Sequence, residues 1–366
     1  MTGESIMAKK LLRAGIIGCG GIANGKHMPS IKATEMAEMV AFCDIVKEKA
    51  ELAAKEYGSA DAKVYTDYTK LLAAGNLDMV YVLTPNKSHS FITIAALEAG
   101  NHVMCEKPMA KTSKEARAMV ETAKKTGKLL TIGYQNRYAA TSQYIKKSAE
   151  RGDFGDIYFA KGHALRRRAV PTWGVFLNEE EQGGGPLIDI GTHALDMTLW
   201  FMDNYKPKSV MGSVYKKLNH NGVSGNAFGD WDPDEFKVED SAFGFIKMEN
   251  GATIVLESSW AINMLDAHEA RSTICGTKAG ADMSNGVRIN GDDFGKLYEK
   301  NPVLGAGSVP FYDGEKIDAP TMEQLTFMNA INDGTPLTVL PEQACVVTEI
   351  LEAIYKSAAT GKLVEF

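Results

Sequence analysis

The chain has 366 residues, of which 45% are hydrophobic and 23% charged, a balance typical of a folded globular protein of more than one domain. Its formal net charge of −6 argues against a nucleic-acid or anionic-membrane partner. No apolar run approaches the ~20 residues of a membrane span, residues 1–10 lack the apolar core of a signal peptide, and the five scattered cysteines form no Cys-x-x-Cys pair. We therefore expect a cytoplasmic protein without disulfides or zinc.

A short apolar run at residues 11–18 predicts a buried parallel strand, and a glycine-rich loop follows it. The loop reads Gly-Cys-Gly-Gly-Ile-Ala and matches Gly-x-Gly-x-x-Gly/Ala. Such glycines allow a tight turn and let backbone N–H groups approach a pyrophosphate at a helix N-terminus. A bare glycine turn is the alternative. The residues predicted to bind a dinucleotide here are Gly18, Gly20, Gly21, Ile22 and Ala23.

A second strand is predicted at 39–43, and it ends at Asp44. A carboxylate a little over 20 residues past the glycines is placed to accept hydrogen bonds from the adenosine ribose hydroxyls. Its charge would repel a 2′-phosphate, and Lys47 is the nearest cation that follows. The sequence therefore favours NAD over NADP as the cofactor.

Strands and helices continue to alternate as far as residue 138. Helices are predicted at 47–57, 67–74, 91–99 and 112–126, and strands at 79–83, 102–105 and 129–133. A polar cluster follows each of these three strands, at 84–89, 106–108 and 134–138. Because ligands bind at the carboxyl ends of the strands in a doubly wound sheet, these clusters are candidate site segments.

The second half of the chain predicts an α+β domain. Strands are predicted at 156–166, 209–217 and 271–275, an Asn250-Gly251 hairpin joins strands at 241–248 and 252–260, and helices are predicted at 141–151, 321–332 and 342–360. An open sheet with apolar alternation needs cover, so we expect its free face to pack on another subunit. Segment 230–234 lacks the glycine and glutamate of a calcium loop, and we expect no metal site.

A glycine run at 183–185 leads into an apolar-periodic helix that runs to about residue 200. Asp189 and His193 lie four residues apart in it, which places both side chains on one helical face. Imidazole moves protons near pH 7, and a neighbouring carboxylate can fix its orientation. The pair indicates proton-transfer chemistry, although half of a metal site, a hydrolase fragment or a buried pair would look the same.

Five motifs together carry a family resemblance. They are the glycine loop, Thr-Pro-Asn-x-x-His at 84–89, Glu-Lys-Pro at 106–108, Gln-Asn-Arg at 135–137, and Gly-Gly-Gly-x-Leu-x-Asp-x-Gly-x-His at 183–193. In this order they resemble the glucose–fructose oxidoreductase/inositol dehydrogenase (Gfo/Idh/MocA) family over nearly the whole chain. The resemblance implies an α/β protein with an N-terminal Rossmann NAD-binding domain at 8–138. A C-terminal α+β domain at 139–366, with a large and mostly antiparallel open sheet, would bind substrate and support oligomers from dimer to hexamer.

The resemblance also implies roles for individual residues. Lys107 would contact both the nicotinamide and the substrate hydroxyl, and Asp189 and His193 would be the catalytic aspartate and histidine. The peptide bond before Pro108 would be cis. The segment after the last strand of the first domain would add substrate contacts from Arg137 and Tyr138. The other residues implied to line the cofactor cleft are Thr84, Pro85, Asn86, His89, Glu106 and Gln135.

The segment 166–176, Arg-Arg-Arg-Ala-Val-Pro-Thr-Trp-Gly-Val-Phe, has two interpretations. One is a solvated basic loop with a packed tryptophan. The other places Trp173 over the cofactor or a sugar face and gives Arg168 a bond to substrate hydroxyls. The segment resembles the glucoside-oxidising branch of the family, which includes levoglucosan and C-glycoside 3-dehydrogenases, and this favours a pyranose substrate.

The expected reaction is oxidation of a secondary hydroxyl of a sugar, glycoside or cyclitol by hydride transfer to NAD, with C3 of a glucoside as the preferred position. His193 would take the hydroxyl proton, Lys107 would stabilise the alkoxide, and Asp189 would orient His193. A glycosidase that recycles bound NAD and an inositol 2-dehydrogenase are alternatives. A dinucleotide-binding regulator without chemistry is less compatible, because such relatives tend to lose the lysine or histidine.

Overall fold

The structure is a computed structural model, and it describes residues 10–220, 225–304 and 317–366. Its first sheet has six parallel strands in the order β3-β2-β1-β4-β5-β6. This strand order is that of the Rossmann fold. The strands are β1 Leu12–Ile17, β2 Ala37–Cys43, β3 Gly58–Tyr65, β4 Met79–Val82, β5 His102–Cys105 and β6 Leu130–Ile132.

Helices flank this sheet and connect its strands. They are α1 Met28–Thr34, α2 Lys47–Tyr57, α3 Tyr68–Ala73, α4 His89–Glu98 and α5 Ser113–Thr126. The start of α5 is fixed by a capping box, in which Thr112 Oγ1 accepts the Glu115 N–H and the Glu115 carboxylate accepts the Thr112 N–H. The α/β class and every element predicted for this half are confirmed.

Edge strand β3 is an element of this half that the pattern did not predict, and the bounds of α1 were not predicted either. It reads Gly-Ser-Ala-Asp-Ala-Lys-Val-Tyr, and all of its residues stay partly or fully exposed. In contrast, all four residues of central strand β4 are buried. A continuous apolar run indicates a strand that is buried on both faces. A strand at the sheet edge is more exposed, so its sequence need not contain such a run.

The second sheet has nine strands in the order β14-β13-β12-β11-β7-β10-β9-β8-β15. Its neighbours pair antiparallel except for β7 and β10, which are parallel. The predicted large, mostly antiparallel sheet is therefore confirmed. Its strands are β7 Ile157–Leu165, β8 Pro207–Tyr215, β9 Ser241–Met248, β10 Thr253–Ser259, β11 Arg271–Gly276, β12 Ala279–Asp282, β13 Arg288–Asp293, β14 Lys296–Lys300 and β15 Val364–Glu365.

One face of this sheet is covered by helices, and the helices also join the two halves. Buried Ala160, Ile246 and Ile254 form part of the covered face. Helix α9 follows strand β14 of the second sheet in the chain, yet its Phe327 and Met328 pack in the core of the first sheet. The proposed division at residue 138 therefore follows chain order, whereas α9 packs with the first domain. The helices of this half are α6 Ala140–Glu150, α7 Glu179–Gln182, α8 Thr192–Met202, α9 Ala319–Asp333 and α10 Pro341–Thr360.

A buried ion pair also ties the segment after β6 to helix α8. Arg137 is fully buried, with Nε 3.0 Å and one terminal nitrogen 2.6 Å from the Asp196 carboxylate. Its other terminal nitrogen donates to Thr338 O and to Gln343 Oε1. Because every arm of this guanidinium is engaged inside the protein, we correct the expectation that Arg137 contacts a substrate. The neighbouring Tyr138 hydroxyl bonds the Thr338 side chain, on the same inner side.

No helix in the described ranges is long and apolar enough to cross a bilayer.

Candidate active site

The site forms where the segment after β5 meets the glycine-led segment before α8. Lys107 follows β5 in Glu-Lys-Pro, and the peptide bond before Pro108 is cis. The Lys107 ammonium lies 3.0 Å from Asp189 Oδ1 and 3.0 Å from the Asp189 carbonyl oxygen. The two residues are 82 positions apart in sequence and belong to different domains. The contact therefore brings two of the predicted catalytic residues together across the domain cleft.

Asp189 lies in a π-helical turn, Leu187–Gly191, that continues directly into α8. Such turns are rare and are often found at functional sites. Its second carboxylate oxygen, Oδ2, accepts the indole N–H of Trp260 at 3.1 Å. Both oxygens are thus bonded to donors other than His193. Trp260 was not predicted as a site residue, because nothing in its strand pattern distinguishes it from a core tryptophan.

His193 lies one turn further along the same helix. Its Nδ1 is buried and has no hydrogen-bond partner among the described residues. The ring stands edge-on to Tyr134 with centroids 6.2 Å apart. Tyr134 is itself fixed by a 2.8 Å hydrogen bond to Thr192. Among the described residues the His193 ring thus packs on Tyr134 and makes no hydrogen bond to Asp189, so the expected orientation by Asp189 is not observed.

Burial and charge set the protonation states of this pair. Burial and the nearby Lys107 ammonium lower the pKa of His193 to about 3, so its imidazole is neutral at pH 7. Burial alone would raise the pKa of Asp189, but the charges of Lys107 and Arg166 outweigh it and hold that pKa below its usual value. The site therefore holds an ionised carboxylate, an ammonium and a neutral imidazole that can accept a proton.

A cluster of buried charged residues around Glu106 holds the backbone of Lys107. Glu106 Oε1 accepts bonds from Lys26 Nζ at 2.7 Å and His27 Nε2 at 2.8 Å, and Glu106 Oε2 accepts the Lys107 backbone N–H at 2.9 Å. Lys26 also pairs with Glu323 of α9 at 3.1 Å. Glu106 is thus a supporting residue under Lys107. Lys26 and His27 could have been noticed as polar residues just past the glycine loop.

The glycine loop has the shape that a dinucleotide requires. Gly18 has φ of +94°, and a Cβ there would overlap the Leu83 backbone, so only glycine fits. Gly20 and Gly21 face open space, with nothing within 4 Å of a built Cβ. Asp44, at the end of β2, is half-buried and accepts the Cys19 and Val46 backbone N–H groups at 2.9 Å each. The open cradle and the unpartnered His193 Nδ1 fit a bound NAD molecule.

The segment after β4 supports the cleft in a more indirect way than expected. His89 is 1% exposed, and its two ring nitrogens lie 2.7 Å from Pro108 O and 2.8 Å from Thr84 O. It therefore ties the cis-proline loop to the Thr84 loop, which corrects the expectation that it lines the cofactor cleft. Asn86 donates its amide to Gln182 O across the domains at 3.0 Å. Half-buried Gln135 begins a short 3₁₀ turn after β6.

An aromatic row connects the predicted Trp173 to the site. Trp173 is 52% exposed and packs edge-on against Phe228 and Phe176. Phe176 packs edge-on against Trp260, the residue that bonds Asp189. The half-exposed Trp173 is therefore linked through Phe176 to Trp260, the residue that bonds Asp189.

The arginines of the same segment have contacts other than those expected. Arg168 bonds Asn263 at 2.6 Å and the Arg167 carbonyl at 2.7 Å, both at the surface. Arg166 is the arginine whose charge acts on Asp189, and Glu269 holds it at 2.5 and 2.6 Å. Within the described ranges, no group of three or more His, Cys, Asp or Glu side chains could hold a metal ion.

Known proteins share both the sequence and the fold of this chain. A D-glucoside 3-dehydrogenase from Escherichia coli (strain K12) is 37% identical over 99% of each chain. A glucose-6-phosphate 3-dehydrogenase from Bacillus subtilis (strain 168) is 32% identical over 57% of this chain and 58% of that one. A levoglucosan dehydrogenase solved with NADH and levoglucosan has the same fold, with a TM-score of 0.82, 21% identity, and 97% and 99% of the two chains covered.

Family models cover nearly the whole chain. The NAD-binding Rossmann model of the oxidoreductase family matches residues 12–134, and the model of the family's C-terminal alpha/beta domain matches residues 146–366. The chain therefore belongs to the Gfo/Idh/MocA family of oxidoreductases with an NAD-binding Rossmann domain.

Proposed function

We propose that this protein oxidises a secondary hydroxyl of a sugar or glycoside with NAD⁺, at C3 of a glucoside. The observation that carries the proposal is the Lys107–Asp189 contact beside the neutral, half-buried imidazole of His193. It presents a cation for a developing alkoxide and a base for the hydroxyl proton. Two relatives named for dehydrogenation at position 3 support that position.

The chain's own residues supply the proton chemistry. Gly20, Gly21 and Asp44 would hold the dinucleotide, and bound NAD⁺ supplies the acceptor for the carbinol hydride. His193 takes the proton of the hydroxyl as the C–H bond breaks and the C=O bond forms. The Lys107 ammonium donates to the same oxygen and stabilises its negative charge. Asp189 holds that ammonium in place.

A keto group at C3 acidifies the adjacent C–H, which prepares the glycoside for elimination. The same residues would therefore serve a glycosidase that oxidises, eliminates, adds water and reduces with one retained NAD. They would also serve an inositol 2-dehydrogenase, because a cyclitol presents similar vicinal hydroxyls. Release of NADH would indicate a dehydrogenase. Release of free sugar without net NADH would indicate the glycosidase.

We also propose that the chain forms a homo-oligomer through the free face of the second sheet. On adjacent strands β8 and β9, Met211 lies opposite Phe245 and Ser213 lies opposite Phe243. Val255 of β10 lies opposite Phe245 on the other side of β9. Met211 is 44% and Phe245 49% exposed. A contiguous apolar sheet face of this kind is typical of subunit interfaces.

A reducing compartment, the cytoplasm, is the proposed location. All five cysteines are free thiols, and four of them are buried. Unpaired thiols are the usual state of cysteine in the cytoplasm.

The substrate proposal predicts NADH formation with aryl O- or C-glucosides or anhydrosugars in an absorbance screen that also contains inositols and free hexoses. His193→Ala should lose ~10²–10⁴-fold in turnover, because the hydroxyl proton then has no positioned acceptor. NADH affinity, measured by fluorescence titration, should stay unchanged. Near-normal turnover of His193→Ala would contradict the base assignment, and NADH formation with inositols alone would contradict the glucoside assignment.

The protonation state of His193 predicts the pH profile of alcohol oxidation. With its pKa lowered from 6.5 to about 3 by burial and Lys107, the imidazole stays deprotonated as the pH falls from 8 to 5. The value of kcat/KM should therefore show no protonation of the base near pH 6.5. A tenfold decrease per pH unit below 6.5, absent from the NADH affinity over the same range, would show instead that His193 titrates normally.

Asp44 should decide between NAD and NADP. Asp44→Ala should weaken NADH binding ~10-fold, the value of one hydrogen bond to a charged group, while NADPH binding is unchanged or improves. Asp44→Asn is the matched control, because it removes the charge and keeps one acceptor oxygen for the Cys19 or Val46 N–H. Equal losses for both cofactors in both variants would assign Asp44 a purely structural role.

The oligomer proposal predicts that Phe245→Glu lowers the assembly state measured by light scattering, since it places a charge in the apolar face. Phe91→Glu is the control, because Phe91 is 50% exposed on α4 of the other domain. An unchanged mass for Phe245→Glu would place the interface elsewhere.

A further inference from the structure

A buried carboxylate outside the catalytic group holds the segment that leads to Asp189. Glu239 is 2% exposed and precedes β9. Its Oε2 accepts the Gly185 N–H at 2.8 Å, and its Oε1 accepts the Leu187 N–H at 3.2 Å and the Tyr355 hydroxyl of α10 at 2.7 Å. Three donors thus converge on one side chain, which we call the Glu239–Tyr355 clamp.

Two of the glycines of the 183–185 run are shaped to this clamp. A Cβ on Gly184 would overlap the Tyr355 hydroxyl, and a Cβ on Gly185 would overlap the Glu239 carbonyl oxygen. Any other residue at either position would push the segment away from the clamp. The glycines therefore provide a close approach here, and flexibility is not their role.

The clamp acts on the turn that carries the catalytic aspartate. The backbone N–H groups of Ile188 and Asp189 bond to the Gly185 carbonyl at 3.1 and 3.0 Å. Glu239 accepts the backbone N–H of Gly185, and the carbonyl of Gly185 accepts the first backbone hydrogen bonds of the helical segment that contains Asp189. A carboxylate at this end also complements the helix dipole. From the far side, Trp260 holds Asp189 Oδ2.

We propose that Glu239 and Tyr355 are positioning residues that set Asp189 at the distance from Lys107 that the reaction requires. They touch neither Lys107 nor His193 in the described structure, and they act through the backbone of residues 185–189. The proposal rests on the proposed function only in giving Asp189 a role in turnover. Its structural part, the placement of the Asp189 carboxylate, stands apart from the identity of the substrate.

The test compares Glu239→Ala, Glu239→Gln and Tyr355→Phe in the full-length protein. Glu239→Ala should lower kcat ~100-fold, the cost of a misplacement on the order of 1 Å, with NADH affinity unchanged. Tyr355→Phe should lower kcat less, because it removes one of three bonds. Glu239→Gln should recover part of the Ala loss, since its amide keeps one acceptor oxygen. A kcat of Glu239→Ala within twofold of wild type would overturn the proposal.

Asp240→Asn is the matched control for a buried carboxylate. Asp240 is 1% exposed, and its Oδ2 accepts three backbone N–H groups of residues 217–219. Its backbone carbonyl accepts the Trp260 N–H, and the side-chain substitution leaves that carbonyl in place. It should lower the thermal midpoint as Glu239→Gln does and leave kcat unchanged. An equal loss of kcat in both variants would mean that the effect of Glu239 is general destabilisation, and this would also overturn the proposal.

A second readout needs no substrate. With tryptophan labelled by ¹⁵N, the Trp260 indole N–H signal, assigned by its absence in Trp260→Phe, reports the bond to Asp189. Its chemical shift should move and its exchange with solvent should quicken in Tyr355→Phe and Glu239→Gln, and stay as in wild type in Asp240→Asn. An unmoved signal in the clamp variants would overturn the proposal even if no glucoside were oxidised. A moved signal in a protein that oxidises no glucoside would support the clamp and reject only the substrate.

Discussion

The arrangement of the site depends on the Lys107 ammonium, which lies between the two domains. It bonds Asp189 twice, at 3.0 Å each. Its charge lowers the pKa of Asp189 against the effect of burial, and it adds to burial in lowering the pKa of His193. Lys107 therefore favours the ionised carboxylate together with Arg166, and the neutral imidazole together with burial. Exchanging those two states would leave a neutral acid and a cation beside Lys107, with no base for the hydroxyl proton.

Each side of this contact is supported by buried polar groups of its own domain. In the first domain, Glu106 binds the Lys107 backbone and is bound in turn by Lys26 and His27. In the second domain, Asp189 is held through its side chain by Trp260 and through its helical turn by Glu239. A short contact between two domains is reproducible only when each side chain has one available pose, and buried hydrogen bonds provide that restriction.

Much of the fold was predictable because burial is periodic in sequence. Helix α2 was predicted with its observed bounds, Lys47–Tyr57, whereas edge strands such as β14, which is exposed at every position, carry no such pattern. The four-residue spacing singled out Asp189 and His193, and the family resemblance added Lys107 to them. Arg137 could not be placed in this way, because its partner Asp196 lies 59 positions away and its burial depends on Thr338 and Gln343 as well.

The hydrogen bonds of Asp189 also bear on its proposed role beside His193. A carboxylate that accepts from both Lys107 and Trp260 is stabilised in its ionised form by each donor. The His193 imidazole is neutral, is aligned by Tyr134, and has Nδ1 without a partner in the described structure. A neutral imidazole that gains a proton next to an ionised Asp189 is stabilised by that charge, which offsets the repulsion from Lys107. In the proposed reaction the carboxylate would therefore assist the proton transfer by remaining charged, from a position that Lys107 and Trp260 hold.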